Sequence, residues 1–529
     1  MSIVARILVV TGRLAEPIVR KAVEASKTKH FVEVFVAPID VAAFMTTEYI
    51  ANLLRARGIG KDMYDYVLIP GLAKGSAKVI ENAIGVKAVK GCVNAVDLSE
   101  LLKLDDLSIL SSEIPADDVI QNMLVERNAK LLNDLEKSIG QCIYVGKLCI
   151  PISPPPIRVF SEIPFAHELQ NNDLYKRVSY LVESGADGIS LGFEALNPRP
   201  DDVYRVVRFL KREFDVPIAI DTEIPSEIVK GVEAECDMVI NIHLGNIDKV
   251  ERSVKDIAVV AIPRNPSTNS IPEKVSERVE LLSKTVEYLK SRGIENVLAD
   301  AILDPPSSTF NSMLAFHKFK ELHPETPMFM GIGNVVELID ADSIGANALL
   351  VLLAQEIGVS TVLTTEASTK TRGSTREAKI ASQMVALSKI LGTPPKNLGI
   401  SLLILKDKKR IETPLEETGV ETVIASEEEK QYPLDPMGIF KIAVDHEEGY
   451  IKALYIGRKG KILIKGKTAK AIRNEILSRE LISSLSHAIY LGIELAKAEE
   501  ALKLGKNYVQ ELPLFQTPKP ITSPKHPQS

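Results

Sequence analysis

The chain is expected to be an α/β protein built around a closed (β/α)8 TIM barrel at residues 156–410, with a Rossmann-like α/β domain before it and a small α+β domain after it. Three observations predict this. Short apolar runs alternate with amphipathic helical stretches, the pattern of a parallel sheet covered by helices. Eight such units follow one another in about 235 residues, which suits a barrel. Six of the eight apolar runs end in a carboxylate or an amide, as strands that open on one shared pocket do. A doubly wound open sheet is the alternative, and the even spacing and the count favour closure.

The expected strands are Ile157–Ile163, Gly188–Phe193, Pro217–Ile220, Met238–Ile240, Ile257–Ile262, Val297–Ala299, Met328–Gly333 and Thr361–Thr365. Helical periodicity follows each of them, at 171–184, 200–213, 225–235, 246–254, 274–292, 309–322, 342–357 and 374–391. The residues just beyond the strands are Pro164, Glu194, Asp221, Asn241, Arg264, Asp300, Asn334 and Glu366. Any one of these serves equally well as a turn former or helix cap. Barrel active sites lie at the C-terminal strand ends, so together they mark a mouth.

Residues 1–110 read as an α/β domain, with strands at Arg6–Val10, Phe31–Ala37 and Val67–Ile69. Gly12, Gly71 and Gly75 follow strands and would let a phosphate approach a helix N-terminus. Neither GxGxxG nor GxxxxGK[ST] is present, so plain turn glycines are the better reading. Residues 111–155 link to the barrel through a charged helix at 115–139, a strand at 142–150 and the stiff run Pro151–Pro156. After the barrel helices, Leu398–Leu405 reads as a strand and Lys406–Arg410 as a basic turn. An acidic linker spans 411–430. The C-terminal domain, 431–512, has alternating strands at Phe440–Val444, Tyr450–Ile456 and Lys461–Ile464 and one long helix at 468–504. His487, Leu491, Glu494 and Ala498 share a face of that helix, which suits docking on the sheet or on a partner protein. The tail, 513–529, has a disordered composition.

Composition narrows the functional classes. The 529 residues are 45% apolar and 25% charged with net charge −6, an ordinary globular balance without a basic stripe for nucleic acid. The longest apolar stretch, Ile344–Ala354, is about half of what a membrane span needs. The cysteines Cys92, Cys142, Cys149 and Cys236 form no CxxC pair, so buried thiols in a reducing cytoplasm are expected. No signal peptide is visible, which also points to the cytoplasm.

Three strand ends carry a family likeness. The second reads Ala186-Asp187-Gly188-Ile189-Ser190-Leu191-Gly192-Phe193-Glu194 with Asn197-Pro198-Arg199-Pro200 after it, the third Ala219-Ile220-Asp221-Thr222, and the fourth Val239-Ile240-Asn241. In this order they resemble the "GAD-x-IDIGGESTRPG", "SIDT" and "IND" of dihydropteroate synthases, in the pterin-binding barrel superfamily. The three-domain layout resembles the archaeal dihydropteroate synthase-related proteins. The resemblance implies a transferase of pteridine metabolism that binds a reduced, folate- or methanopterin-like pterin. It assigns the ring to Asp221, Asn241, Asp300 and Asn334. The residue chemistry agrees, because a carboxylate accepts from a neighbouring amino group and ring N–H at once. Asp304, followed by Pro305, rivals Asp300. Glu194, His243 and Glu366 are further pocket candidates, and a hydrogen-bonded packing role suits His243 better.

The chain also departs from that pattern. Ser161-Glu162-Ile163-Pro164-Phe165 stands where "N-x-TPDSF" is usual, Gly331-Ile332-Gly333-Asn334 where "G-x-SRK" is, and Leu363-Thr364-Thr365-Glu366 where "R-x-HD" is. The parts that hold a diphosphate leaving group are therefore replaced, and the catalytic residues stay unassigned. Gly333-Asn334 resembles instead the "G-x-SN" of pterin-dependent methyltransferases, so methyl transfer is an alternative reaction. A non-catalytic pterin carrier or sensor is another. Lys370 and Arg372, in the loop before a helix, are candidates for an anionic extension of the ligand. No His/Glu/Asp cluster has metal-ligand spacing, although Mg2+ needs only a carboxylate or two. A homodimer through barrel helix faces stays open.

Overall fold

Strand β1 (Arg6–Thr11) is central, pairing in parallel with β2 (Phe31–Val36) and β3 (Tyr66–Ile69), and β3 in turn pairs with β4 (Lys87–Lys90). The computed structural model describes residues 4–407, 419–426 and 433–515. They fall into two compact units, residues 1–365 with 373–404 and residues 366–372 with 405–529. Most of the expected acidic linker and tail, and Lys408, Lys409 and Arg410 of the basic turn, lie outside the described residues.

In the first unit the four-stranded sheet has the order β2-β1-β3-β4, with apolar clusters on both faces. Helix 16–26 adds Val19 and Ala22 to one face, and helix 47–56 adds Ile50 and Leu54 to the other. A Cβ on Gly12 would lie 2.9 Å from the Ala42 nitrogen and the Asp40 and Ile39 carbonyls. Gly12 is thus needed for loop crossing, and the Arg13 and Leu14 amides already bond the Ile39 and Asp40 carbonyls.

The expected strand at 142–150 is instead a hairpin, β5 (Cys142–Val145) and β6 (Leu148–Pro151), turned at Gly146 with φ +57. Its Val145 and Ile150 pack into the barrel interior with Phe160, Met238 and Phe329. The preceding helix begins at Gln121, after a 3-10 turn at Ala116–Asp118. Its Glu136 clasps the Arg158 guanidinium with bonds of 2.7 and 2.8 Å, next to the start of the first barrel strand.

The barrel strands are β7 (Arg158–Ile163), β8 (Gly188–Gly192), β9 (Ile218–Asp221), β10 (Met238–Ile242), β11 (Ala258–Ala261), β12 (Val297–Ala299), β13 (Phe329–Gly331) and β14 (Thr361–Thr365). They run in parallel in the order β12-β11-β10-β9-β8-β7-β14-β13. A bridge from Ala299 to Met328 closes the ring, so the (β/α)8 barrel expected from the sequence is the fold. Because hairpin β5–β6 plugs the end where the strands begin, the ends where they finish remain for a ligand.

The interior tolerates little added volume. Phe160 is fully buried and meets Phe329 edge-on at 6.4 Å. A Cβ on Gly188 would lie 2.8 Å from Phe160 Cδ1 and closer still to Cε1 and Cζ. Gly188→Ala is expected to destabilise the barrel by about 1–3 kcal/mol through overpacking, read as a lower midpoint in urea unfolding.

Leu398–Leu405 forms no strand. The closed barrel offers no free edge, and Leu403, Ile404 and Leu405 are exposed.

In the second unit, β15 (Gly438–Asp445), β16 (Tyr450–Gly457) and β17 (Gly460–Gly466) form an antiparallel meander. Phe440, Ile442, Ile451, Ala453, Tyr455 and Ile464 make its buried face. The single helix expected at 468–504 is two, Ala469–Ser478 and Leu485–Leu504. The break arises because the Ser483 and Ser484 amides donate to the Asp435 carboxylate rather than to helix carbonyls. Leu491 and Ala498 pack into the sheet's core as their spacing requires, and Glu494 is buried under the Tyr508 hydroxyl and the Glu511 amide.

Candidate functional site

Strand β9 ends in Asp221, which lies in register with Gly192 of β8 and Ile240 of β10. Its Oδ1 accepts from Asn241 Nδ2 at 2.5 Å. Asn241 stands at an irregularity where the β10–β11 register shifts, with φ +73. Asn tolerates that left-handed conformation, and such bulges re-aim a side chain at a barrel rim. Asn246 secures the turn, its Nδ2 donating to the Asn241 carbonyl at 3.0 Å and its Oδ1 accepting from the His243 amide at 3.0 Å.

Asp300 follows β12 and is 5% exposed. Its Oδ1 accepts from the Ile302 amide at 2.7 Å, and Ile302 has φ +62. A β-branched residue in that region is strained, a feature found where a site over-determines the backbone. Asp304 has a different role. Arg278, 3% exposed, pairs with it at 2.9 Å and donates to the Pro272 and Ile302 carbonyls at 2.7 and 3.1 Å. A cation thus neutralises Asp304, which holds the loop, whereas among the described residues no cation pairs with Asp300. Asn334, in the short helix Gly333–Val336, donates to the Leu303 carbonyl of this loop at 3.0 Å. The strand-six and strand-seven ends are thereby tied.

The electrostatics define the centre. Removal from water, followed by repulsion from Glu162, Asp300 and Glu223, pushes the Asp221 pKa up to about 8. Burial raises Asp300 to about 7, against the Ile302 hydrogen bond and the Arg278 charge. Burial also raises Glu162. Glu162 falls on the unspecified position of the resembled motif and was not among the sequence candidates. A Cβ on Gly192 would lie 2.7 Å from its Oε1, so the carboxylate occupies the space this glycine leaves open.

A second group stands beside this centre. Burial pushes Glu223 up, but the His243 hydrogen bond and the Arg264 charge outweigh it and hold Glu223 below the usual range. Arg264 Nη2 meets Glu223 Oε1 at 2.5 Å. His243 Nδ1 accepts from the Gly245 amide at 3.1 Å, which leaves Nε2 to face Glu223 at 3.5 Å. Both ring nitrogens of His243 thus face a partner. Arg264, expected just beyond the fifth strand, thus meets Glu223, and Glu223 and Asn246 are neighbours that spacing did not single out.

Four candidates remain. Glu194 accepts from Asn197 at 3.1 Å and pairs with Arg199 at 3.6 Å on a half-exposed loop. Glu366, Lys370 and Arg372 belong to the second unit. There Ser368 and Thr371 form a capping box, and Arg372 Nη2 donates to the His446 carbonyl at 2.5 Å. Among the described residues no group of three or more His, Cys, Asp or Glu can hold a metal ion, and no helix is long and apolar enough to cross a membrane.

Comparison with known proteins gives matches of different reach. A family model described as PterinBD-DUF4346 matches residues 434–511, and a family of unknown function, DUF6513, matches residues 5–93. The uncharacterised protein MJ0107 of Methanocaldococcus jannaschii is 35% identical over 525 residues, 96% of this chain and 99% of that one. The chain belongs to the MJ0107 family. Among solved structures, Yersinia pestis dihydropteroate synthase with a pterine-sulfa conjugate is 14% identical, covering 47% of this chain and 100% of its own at a TM-score of 0.39. Xanthomonas albilineans dihydropteroate synthase with 7,8-dihydropteroate is 18% identical, covering 43% and 92% at a TM-score of 0.34. Site assignments in this MJ0107 relative therefore rest on its own geometry.

Proposed function

We propose that the barrel mouth binds a reduced pterin and that the protein is a transferase of pteridine metabolism, performing a dihydropteroate-synthase-like condensation. The carrying observation is the Asp221–Asn241 pair beside Asp300, carboxyls raised by desolvation to which no cation bonds among the described residues. Such carboxyls are costly unless a ligand supplies N–H donors. The amino group and ring N–H of a pterin offer two parallel donors to Asp221. Asn241 presents an amide to the same ring, and Asp300 takes a further N–H. The PterinBD description of the C-terminal match supports this ligand class.

In the condensation the nitrogen of an amine bonds to the exocyclic CH2 of the pterin. The C–O bond to the leaving group breaks with its electron pair, and the amine gives up one proton. Asp221 and Asp300, titrating at about 8 and about 7, change protonation near neutrality and so hold or release a proton at the ring as charge shifts. Glu223, held by Arg264 and His243, stays ionised and positions the third and fourth strand ends.

Methyl transfer from a reduced methyl-pterin is the second reading. It rests on Asn334, whose tie to Leu303 sets its amide beside the Asp300 loop. Calorimetric titration with hydroxymethyl-dihydropterin diphosphate, methyl-tetrahydrofolate and methyl-tetrahydromethanopterin tests both readings. Preference for the diphosphate supports condensation, and preference for a methylated pterin supports methyl transfer. Binding of none of them would end the pterin reading.

A further inference from the structure

The second unit has a concave site of its own. A pocket of about 400 Å3 opens between the start of β15 and helix 485–504, a volume suited to a small molecule. At its base the Asp435 carboxylate is fully buried, with side-chain exposure of 0%. It accepts from the Met437 amide at 2.9 Å, the Ser483 amide at 2.9 Å, the Ser483 hydroxyl at 2.7 Å and the Ser484 amide at 3.0 Å. Burial alone would raise its pKa, and these hydrogen bonds more than reverse that and keep it ionised. Its Oδ2 also receives His487 Nδ1 at 3.1 Å.

That contact orients the imidazole. An ionised carboxylate only accepts, so Nδ1 carries a proton, and the neutral ring then has its lone pair at Nε2. His487 Nε2 makes no hydrogen bond among the described residues. Carboxylate–imidazole pairs of this kind orient a histidine towards something else. Aromatic rings flank it, with centroids at 6.0 Å for Phe440 and 6.3 Å for Tyr490.

The other polar groups are mostly committed. Tyr490 donates to Glu511 Oε1 at 3.1 Å and accepts from Gln510 at 2.7 Å. Gln510 is also bonded to the Phe440 carbonyl and the Ile442 amide. A ligand therefore meets two acceptors, His487 Nε2 and the Glu511 carboxylate, between aromatic walls. No lysine or arginine lines the pocket, so it does not suit a phosphate or carboxylate. Glu511 itself sits at φ +72, which is uncommon for a residue with a side chain.

We infer that this pocket is a second small-molecule site, taking a planar aminated heteroaromatic ring, neutral or cationic, whose N–H groups donate to His487 Nε2 and Glu511. The inference stands apart from the barrel reading, since every residue in it belongs to the second unit.

The probe is 2-aminopurine, a neutral aminated ring whose fluorescence falls on stacking. It is titrated into the full chain, which has no tryptophan. The imidazole signals of the eight histidines are followed by NMR, and the His487 signal is identified by its loss in His487→Leu. The expected result is a saturable shift of the His487 signal in both the wild type and Asp221→Ala. His487→Leu should weaken this binding about tenfold or more, and Glu511→Gln, at an exposed position, several-fold. Circular dichroism confirms that both variants are folded. An unmoved His487 signal at saturating probe, or undiminished binding in folded His487→Leu, would overturn the inference.

Discussion

Asp221→Ala is expected to weaken binding of a reduced pterin by about 100-fold or more, because it removes two hydrogen bonds to one charged group. The effect carries a pH signature. A neutral ring donating two N–H groups needs Asp221 ionised, and its pKa is raised to about 8 by burial and by Glu162, Asp300 and Glu223. Below that value the ligand must displace a proton, so affinity should fall about tenfold for each pH unit of acidification. Above it the affinity should level off. Calorimetry from about pH 6 to about pH 9 gives the slope, and the Asp221-dependent slope should vanish in Asp221→Ala. A flat profile in the wild type would mean that the ring does not bond to Asp221.

Asp221→Asn is expected to do two opposite things, weakening the ligand and stabilising the empty protein. The folded-state pKa of about 8 lies far above that of a free aspartate. In the unfolded chain the group ionises above about pH 4, whereas in the fold it stays protonated. The stability it confers is therefore fully present below about pH 4 and is lost as pH rises towards about 8. Asparagine keeps an acceptor for Asn241 and never ionises. The variant should gain about 1–3 kcal/mol at about pH 8 and nothing near about pH 4, read from denaturant midpoints. Asp300→Asn should act in the same direction, with its window closing near 7. Because Asp300 is itself a cause of the Asp221 shift, the two gains should sum to less than their separate values. A loss of stability in Asp221→Asn at high pH would show that the carboxylate is compensated in the empty site.

The split between legible and hidden features follows their range along the chain. Barrel strands and helices announced themselves because period and length are local properties, and the short apolar runs before Asp221 and Asp300 needed nothing more. The helix break at 479–484 did not, since the group that takes its amides, Asp435, lies 48 residues upstream of Ser483. Leu398–Leu405 looked like a strand because apolar periodicity cannot say whether an edge is free. Glu162 was passed over because the space it fills comes from Gly192 on the next strand. The choice of Asp300 over Asp304 rested on its place directly after the strand and on the likeness of Ile302-Leu303 to one form of the family motif, whereas the pairing of Asp304 with Arg278 was not legible.

Hydrophobic periodicity was enough to dictate the barrel, its eight strands and the polar residues that close them, because burying an apolar face is decided within each element. Which carboxylates stay without a cation, which histidine is held by Glu223 or Asp435, and which acids titrate near neutrality were settled by folding alone. Charges interact through space and through the water they lose, and neither quantity is written in the spacing of residues along a chain.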